Sequence, residues 1–324
     1  MNKVSVITAT YQKFDKILST INSVLNQSYD EIEYIICDDG SDAFPSTEIK
    51  RFIDNNNHKN FDILILKNET NVGTVKNLNK AYKRASGEFI INLSCGDVFF
   101  DKWVVEKIVK RFIETGANCI STSRILYKNN FEPICFLPHY EEREIVEKYN
   151  TAEKQHKAII THQFYDMVSG SVMNIRKKTF LEFGGYDESY ILLEDLPFFT
   201  NYTKKEKVYF AFDIISTWYE DGGVSRSKNG MKGTRLYEDL NIYISKDKME
   251  KASILSKTEK KLVEYRNKRI VTEKSKVIFL YLRYFPQLLY YLKYSNRRKT
   301  MKRRDELYIN KALDGYDKEY LICK

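Results

Sequence analysis

The sequence places acidic and aromatic residues where they could hold a flat, polar ligand. Tyr11 and the hydroxyl residue Thr8 lie at the end of the apolar run Val4–Ala9, and Asp38 and Asp39 follow a second apolar run. A tyrosine ring stacks on a planar base, and a carboxylate accepts a hydrogen bond from an imide N–H. An Asp-Asp-Gly-Ser turn is also an ordinary structural element, so the residue types alone fit both a nucleotide site and a turn.

Further acids occur in two other places. Asp97 ends the segment SCGD (residues 94–97), which follows an apolar run. A carboxylate there can bind Mg²⁺ or Mn²⁺, because hard cations prefer oxygen ligands. Glu194 and Asp195 lie between apolar residues, where burial raises a carboxyl pKa and makes a better general base. The structural alternatives are a solvated turn residue for Asp97 and a favourable helix start for the Glu-Asp pair.

These residues need a scaffold that brings several strand ends together. Residues 3–42 predict a strand at Val4–Ala9 and a strand at Ile32–Cys37. Between them an amphipathic helix is expected, with apolar residues at helical spacing, which are Ile17, Leu18, Ile21, Val24 and Leu25. Continued alternation predicts an α/β fold with a mostly parallel central sheet flanked by helices, and such sheets bind ligands past the carboxyl ends of their strands. No GxGxxG turn is present, so a dinucleotide-type phosphate loop is not expected.

The same patterns predict the remaining elements. Strands are expected at 61–66, 89–93, 118–123, 169–175, 208–212 and 214–218, and helices at 47–55, 74–85, 103–115, 178–183 and from about 194. Residues 128–165 are predicted to be irregular and to cover the edge of a site.

Residues 3–42 closely resemble the start of family-2 glycosyltransferases, which have the GT-A fold and use nucleotide-sugar donors. Further segments match the family's motifs in the same order. They are NVGTVKN (71–77), SCGD (94–97), FGGYDE (183–188), LLEDL (192–196) and WYEDGGVS (218–225). The resemblance covers about residues 3–225.

The resemblance implies roles for individual residues. Those expected to bind the nucleotide-sugar are Thr8, Tyr11, Asp39, Lys76, Asn77 and Asp97. Those expected to line the donor-sugar and acceptor pocket are Gly185, Tyr186 and Trp218. Asp97 matches the family's ligand for Mg²⁺ or Mn²⁺ and is the one acid left of an Asp-x-Asp-Asp motif. Asp195 matches the general base of an inverting transfer, and Glu194 would orient its surroundings.

Other polar residues near these motifs are harder to assign. No histidine stands before the Gly-Gly loop, where some relatives bind a metal. Glu220 or Asp221 could substitute for it, but a solvated loop acid is the preferred interpretation. His139 and His162 lie in the irregular segment and could touch an acceptor.

The positive charge belongs to the C-terminal quarter of the chain. Residues 251–324 contain 20 Lys and Arg against 8 Asp and Glu, whereas the net charge of the whole chain is +9. The basic part is thus separate from the expected chemistry, which argues against nucleic acid as a partner. We predict a nucleotide-sugar-binding and catalytic domain at 1–235 and a basic, aromatic-rich helical extension at 236–324.

The run Val277–Tyr294 in this extension has two interpretations. It could be an interfacial membrane helix, or it could pack on the catalytic domain or on a second copy of the chain, with Pro286 as a break. Packing between subunits is slightly preferred, because tyrosine hydroxyls can be satisfied across an interface.

The remaining features indicate a cytoplasmic protein, peripheral at the inner face of the membrane if the extension binds lipid. The five cysteines form no CxxC pair, which predicts buried, reduced thiols. The N-terminus enters a core strand at once, leaving no room for a signal peptide, and no apolar run reaches the roughly 20 residues of a membrane span.

The predicted function is metal-dependent, inverting transfer of a hexose from a nucleoside-diphosphate donor, with UDP preferred. The acceptor would be a hydroxyl of a surface glycan, a lipid-linked glycan or a glycoprotein. One alternative is a sugar nucleotidyltransferase, although residues 8–16 lack the Gly-rich basic loop of that class. The other is a degenerate nucleotide-sugar-binding or scaffold protein.

Overall fold

The computed structural model describes residues 2–161, 167–222, 234–246, 248–271 and 276–317 of the 324-residue chain. The strands within these residues are β1 (Val4–Thr10), β2 (Ile32–Asp38), β3 (Asp62–Lys67), β4 (Phe89–Asn92), β5 (Val98–Phe99), β6 (Cys119–Lys128), β7 (Glu132–Leu137), β8 (Met173–Arg176) and β9 (Tyr209–Glu220). The helices are α1 (Ile17–Leu25), α2 (Ser46–Asn56), α3 (Thr74–Arg84), α4 (Val104–Thr115), α5 (Tyr140–Val146), α6 (Ala152–Thr161), α7 (Lys177–Glu182), α8 (Asp195–Tyr202), α9 (Arg235–Ser245), α10 (Lys248–Ser253), α11 (Lys257–Val271), α12 (Val277–Arg283) and α13 (Phe285–Ala312).

The strands form one sheet in the order β3-β2-β1-β4-β8-β6-β9-β5, with β7 paired to the far end of β6. The first four are parallel, whereas β8 runs antiparallel to both β4 and β6. The predicted α/β class with a helix-flanked central sheet is confirmed. The sheet is parallel in its N-terminal half and mixed beyond it.

Helices bury both faces of the sheet. In β2, Tyr34 and Ile36 belong to one apolar cluster, and Ile35 and Cys37 belong to the other. Helices α1, α2 and α4 cover the first face, and α3, α6, α7 and α8 cover the second. Burial on both sides explains why the strands are continuous apolar runs rather than alternating ones.

Residues 128–165 are more regular than predicted. They continue β6 to Lys128 and then form β7, α5 and α6. Acidic residues of α5 form ion pairs with residues distant in sequence. Glu141 pairs with Arg304 and Glu142 with Arg298, both in α13. Those partners lie more than 150 residues away, so the local sequence could not reveal them.

The C-terminal helix α13 is docked on the catalytic fold. Asp305 is 1% exposed, and its carboxylate accepts hydrogen bonds from the backbone N–H groups of Phe136 (3.0 Å) and Tyr140 (2.8 Å). Ile309 lies in the same apolar cluster as β1 and α4. The domain boundary predicted at residue 235 remains a proposal. Helix α13 lies beyond that boundary but packs in the same apolar core as the sheet.

The predicted break at Pro286 is confirmed. Helix α12 ends at Arg283, and α13 begins at Phe285 with proline in its first turn. Within the described parts of the chain, no helix combines the length and apolar character needed to cross a bilayer.

The cysteines follow the predicted pattern. Cys37, Cys119 and Cys135 are buried, free thiols, and Cys95 is half-buried. Burial raises the pKa of Cys37 to about 12, which keeps this thiol protonated and unreactive. Cys323 lies outside the described residues.

Candidate active site

Asp97 has a buried carboxylate in which one oxygen accepts a hydrogen bond and the other accepts none from the described residues. It follows β4 in the turn to β5 and is 3% exposed. Its Oδ1 accepts a hydrogen bond from the Glu220 backbone N–H at 2.9 Å, whereas Oδ2 has no hydrogen-bond partner among the residues that the structure describes. Burial raises the pKa of Asp97 to about 7. A buried carboxylate oxygen that accepts no hydrogen bond fits a ligand for Mg²⁺ or Mn²⁺.

Glu220 is the last residue of β9 and lies beside the turn that contains Asp97. Its carboxylate lies 3.0 Å from Lys13 Nζ and 2.7 Å from Lys16 Nζ. Gly96 has φ +98°, and a Cβ built there would be 2.5 Å from Glu220 Oε2. The positive φ therefore favours glycine at this position, and any larger residue would also displace the end of the Glu220 side chain. The interpretation of Glu220 as a solvated loop acid is wrong, because it pairs with two lysines at the strand end.

Asp195 lies at the first position of α8, where a helix start favours negative charge. Its Oδ2 accepts the Gly170 N–H at 3.1 Å, and its Oδ1 accepts the Leu196 N–H at 2.7 Å. Burial raises the pKa of both Glu194 and Asp195, and the neighbouring charge of Asp195 adds to the rise at Glu194. A held carboxylate with a raised pKa is suited to take a proton from a hydroxyl group.

Arg124 connects the two acidic positions. It lies in β6, is 5% exposed and donates to Ser169 Oγ at 2.9 Å and to Ser171 Oγ. Burial raises the pKa of Asp97 and of Asp195, and the positive charge of Arg124 opposes both rises. Arg124 and Asp195 also line the same cavity. Sequence reasoning missed this arginine, although an arginine followed directly by the apolar run Ile125–Tyr127 in a strand was a usable signal, because arginine is rarely buried without a partner.

A cavity of about 540 Å³ opens beside Asp195. The sheet side contributes Arg124, Ser169 and Tyr219, and α13 contributes the opposite wall. Its residues from α13 are Tyr291, Tyr294, Ser295, Arg298, Lys299 and Lys302. The basic extension therefore forms part of the candidate site, which the sequence did not predict.

Tyr11 and Lys76 are the exposed members of the expected nucleotide site. Tyr11 follows β1 and is 48% exposed, so a face of its ring is available to a base. Lys76 is exposed near the start of α3. Their roles in binding remain predictions, since no ligand contact is described.

Asp39 organises a turn in this structure. Its Oδ1 accepts from Asn68 Nδ2 (3.0 Å) and the Val72 N–H (2.9 Å), and its Oδ2 accepts from Asn71 Nδ2 (3.0 Å) and the Gly73 N–H (2.9 Å). A carboxylate accepts about four hydrogen bonds. A base N–H can therefore reach Asp39 only by replacing one of them.

Thr8 and Asn77 have buried side chains in this structure, and their predicted roles in nucleotide-sugar binding stay predictions. Thr8 is fully buried, and its Oγ1 accepts the Tyr34 hydroxyl at 3.0 Å. Asn77 is 2% exposed and donates to the Cys37 carbonyl at 3.1 Å. Both residues lie on the inward face of their element.

The predicted sugar-pocket residues are also placed elsewhere. Tyr186 is 2% exposed, with its hydroxyl 3.2 Å from that of Tyr82, and Trp218 is 1% exposed, donating to the Tyr316 hydroxyl at 3.1 Å. Gly185 lines a separate cavity of about 390 Å³ that does not include Asp195. The roles of these three residues in the pocket stay predictions, while the structure buries both aromatic rings and places Gly185 at a different cavity from Asp195.

Three side chains of types that bind metals meet where α13 packs on β7 and the residues that follow it. Cys135, His139 and Asp305 bring one ligand atom each within 4.8 Å of one another. His139 Nδ1 is 2.6 Å from Asp305 Oδ2, and Asp305 also accepts two backbone N–H groups, so its oxygens serve the docking of α13. The expected acceptor residue His162 and the loop residues Gly223–Ser225 lie outside the described residues.

Residues 5–181 match the family model described as Glycosyl transferase family 2. The chain belongs to this family. The match covers more than half of the 324 residues and contains Asp39, Asp97 and Arg124, whereas Asp195 lies beyond it. The resemblance seen in the motifs is thereby confirmed.

Relatives and solved structures agree with the family-2 assignment. A protein of Escherichia coli named UDP-Glc:alpha-D-GlcNAc-diphosphoundecaprenol beta-1,3-glucosyltransferase WfaP is 34% identical over 133 residues, which are 40% of this chain and 49% of the relative. The matched part thus spans about half of that relative's length.

Two solved structures share the fold. The S. aureus TarS fragment 1-349 in complex with UDP-GlcNAc has a TM-score of 0.55 at 18% identity, covering 82% of this chain and 71% of that chain. The mannosyltransferase PcManGT from Pyrobaculum calidifontis, in complex with GDP-Man and Mn²⁺, has a TM-score of 0.53 at 14% identity. The match covers 98% of this chain and 88% of that chain. These likenesses show a GT-A fold for the family-2 chain.

The raised pKa of Glu194 has a testable effect on stability. The folded protein keeps this proton at pH values where the unfolded chain, with an ordinary pKa of 4.5, has lost it. The free energy of unfolding therefore falls as pH rises above about 5, and Glu194→Gln removes this fall. We expect Glu194→Gln to be more stable than the natural protein by on the order of 1 kcal/mol at pH 8 and nearly equal at pH 5.

Urea unfolding at the two pH values measures this difference. Glu182→Gln, at an exposed glutamate of α7, is the matched control and should show no such pH dependence. An equal stability difference for Glu194→Gln at pH 5 and pH 8 would contradict the assignment of the raised pKa.

Proposed function

We propose that this family-2 enzyme transfers a hexose from a UDP-linked donor to a hydroxyl group of a surface-glycan acceptor, with inversion at the anomeric carbon. One observation carries the proposal. Asp97 has an unused buried oxygen, Asp195 has a raised pKa and shares a cavity with the buried Arg124, and the charge of Arg124 acts on both carboxylates. Such a pair supplies one carboxylate for the donor and another for the acceptor.

The donor is proposed to bind past the carboxyl ends of β1, β2 and β4. The exposed ring of Tyr11 stacks on the base, and Asp39 holds the turn at residues 71–73 that borders it. Lys76 supplies a positive charge at this edge. The UDP preference is supported by the UDP-Glc in the relative's name and by the UDP-GlcNAc in one structural neighbour.

Asp97 is proposed to hold Mg²⁺ or Mn²⁺ through Oδ2, supported by Mn²⁺ in another structural neighbour. A bound divalent cation neutralises the charge that grows on the diphosphate leaving group. Glu220 keeps Oδ1 of Asp97 occupied through its backbone N–H, so one oxygen remains for the cation.

Asp195 is proposed to take the proton of the acceptor hydroxyl during attack. The acceptor oxygen bonds to the anomeric carbon, the bond from that carbon to the diphosphate oxygen breaks, and the proton passes to Asp195. The Gly170 and Leu196 N–H groups hold the carboxylate in place while this happens. General-base catalysis of this kind requires the raised pKa that burial provides here.

A panel of nucleotide-sugars tests the proposal. Hydrolysis of each donor is measured without acceptor, with Mg²⁺, with Mn²⁺ and with a chelator. We expect UDP-hexoses to be hydrolysed fastest and the chelator to stop the reaction. Binding of UDP-hexoses without hydrolysis, and without transfer to any glycan tested, would favour the scaffold alternative.

The exposed part of the basic extension is proposed to contact an anionic membrane surface. Apolar side chains at helical spacing are exposed in α12 and early α13, and they are Ile278, Leu282, Phe285, Leu289 and Leu292. No acidic residue occurs between Val277 and Arg304, whereas eight Lys and Arg do. Two copies of such a surface would repel each other, whereas anionic headgroups attract it.

Vesicle flotation measures this contact. The full-length protein should float with vesicles that contain anionic lipid, and binding should weaken as salt rises, because surface charges are then screened. Leu282→Asp should lose flotation, and Leu307→Asp, at an exposed leucine further along α13, is the control. A concentration-dependent dimer that ignores vesicles would instead support packing between subunits.

A further inference from the structure

The cavity beside Asp195 has a strongly positive wall. Of its charged lining residues, Arg124, Arg298, Lys299 and Lys302 are cationic, and Asp195 is the one acid among the described residues that line it. His139 lies at the same cavity but is engaged with Asp305. Sugar hydroxyls do not require such charge, so the cavity is suited to an anionic group.

Two lysines of this wall are available to a ligand. Lys299 and Lys302 are exposed and three residues apart on α13, so their side chains lie on the same face of the helix. Neither ammonium group forms an ion pair with another residue that the structure describes. By contrast, Arg298 is 3.5 Å from the buried carboxylate of Glu142, to which the Tyr294 hydroxyl also donates at 3.2 Å.

The wall is held rigidly against the catalytic fold. Arg304 pairs with Glu141 at 2.9 Å, the rings of Tyr140 and Tyr308 stack with centroids 3.7 Å apart, and Asp305 is buried among backbone donors of residues 136–140. These contacts lie within one or two turns of Lys302. This part of α13 is therefore held against the catalytic fold, and its two lysines line the same cavity as Asp195.

We propose that this cavity binds a phosphate or diphosphate group of the acceptor and thereby presents the acceptor hydroxyl to Asp195. This rests on the proposed function, because it assigns the substrate class of the same site. The donor diphosphate belongs at Asp97, so the lysines form a second anion site. The exposed apolar side chains of α12 and early α13 favour a lipid-linked diphosphate as the source of the anion.

Binding of two probes tests the site without requiring turnover. Inorganic diphosphate and geranyl diphosphate are titrated by calorimetry into the full-length protein, the double variant Lys299→Glu/Lys302→Glu and the control variant Lys178→Glu/Lys311→Glu. The control carries the same change of net charge at exposed positions of α7 and α13 that do not line the cavity. Probe bound at the donor site is common to all three proteins, so their difference reports on the cavity.

We expect the double variant to bind geranyl diphosphate at least about tenfold more weakly than the natural protein, with the control within about twofold. If the double variant loses as much affinity for inorganic diphosphate as for geranyl diphosphate, the cavity recognises the phosphates alone. If it loses affinity for geranyl diphosphate only, the cavity recognises the lipid-linked form. Equal binding of both probes by the double variant and the control would overturn the proposal. Donor hydrolysis by the natural protein reports separately on the proposed function.

Discussion

Asp195→Asn is expected to lower the rate of sugar transfer by about 10²–10⁴, the usual loss when a general base is removed. Asparagine keeps the size of the side chain and an oxygen that can accept the Gly170 N–H, so the start of α8 should remain in place. Donor affinity should change little, because Asp195 lines the cavity formed with α13 and not the turn at Asp97.

Initial rates and UDP affinity, measured on the same preparations, check this result. Asp213→Asn is the matched control, because Asp213 is an exposed aspartate paired with Arg111. Full transfer activity in Asp195→Asn would remove this residue from the mechanism. A parallel loss of UDP binding would show that it serves the donor instead.

Asp97→Asn is expected to abolish stimulation by Mg²⁺ or Mn²⁺ and to reduce donor hydrolysis by about 10²-fold or more, as removal of one strong electrostatic stabiliser typically does. The amide can still accept the Glu220 N–H. Loss of the charge should not unfold the protein, because burial already disfavours the charged form and raises the Asp97 pKa to about 7.

Metal titration with and without a chelator provides the measurement. Asp101→Asn is a control in the next turn, where the aspartate pairs with Lys107 at the surface. Activity that ignores both the chelator and the Asp97 substitution would mean that the reaction proceeds without a divalent cation. The unused oxygen of Asp97 would then need another explanation.

The sequence predicted those parts of the fold that depend on local patterns. Helix α1 was predicted from five apolar residues at helical spacing, because that pattern is contained within nine residues. The first strands were predicted within a residue or two, since their apolar runs are buried on both faces. By contrast, 208–212 and 214–218 form one strand, β9, because pairing with β6 carries the chain through Asp213.

The site was harder to predict, because side-chain partners are distant in sequence. The four donors to Asp39 lie 29 to 34 residues away, so an acid that looks free in the sequence is saturated in the fold. The indole of Trp218 is buried against Tyr316 of the extension, about 100 residues later. Docking of α13 likewise depends on Asp305 meeting a segment more than 160 residues earlier. Motif order identified the family but not these contacts.

The anomeric configuration of the product, determined by proton NMR, tests the central claim most directly. A UDP-α-hexose and an acceptor are incubated with the natural protein and with Asp195→Asn. A single in-line displacement with Asp195 as base predicts a β-linked product from the natural protein and almost none from the variant. An α-linked product would contradict the account, because retention requires a different mechanism in which Asp195 is not the base for direct attack.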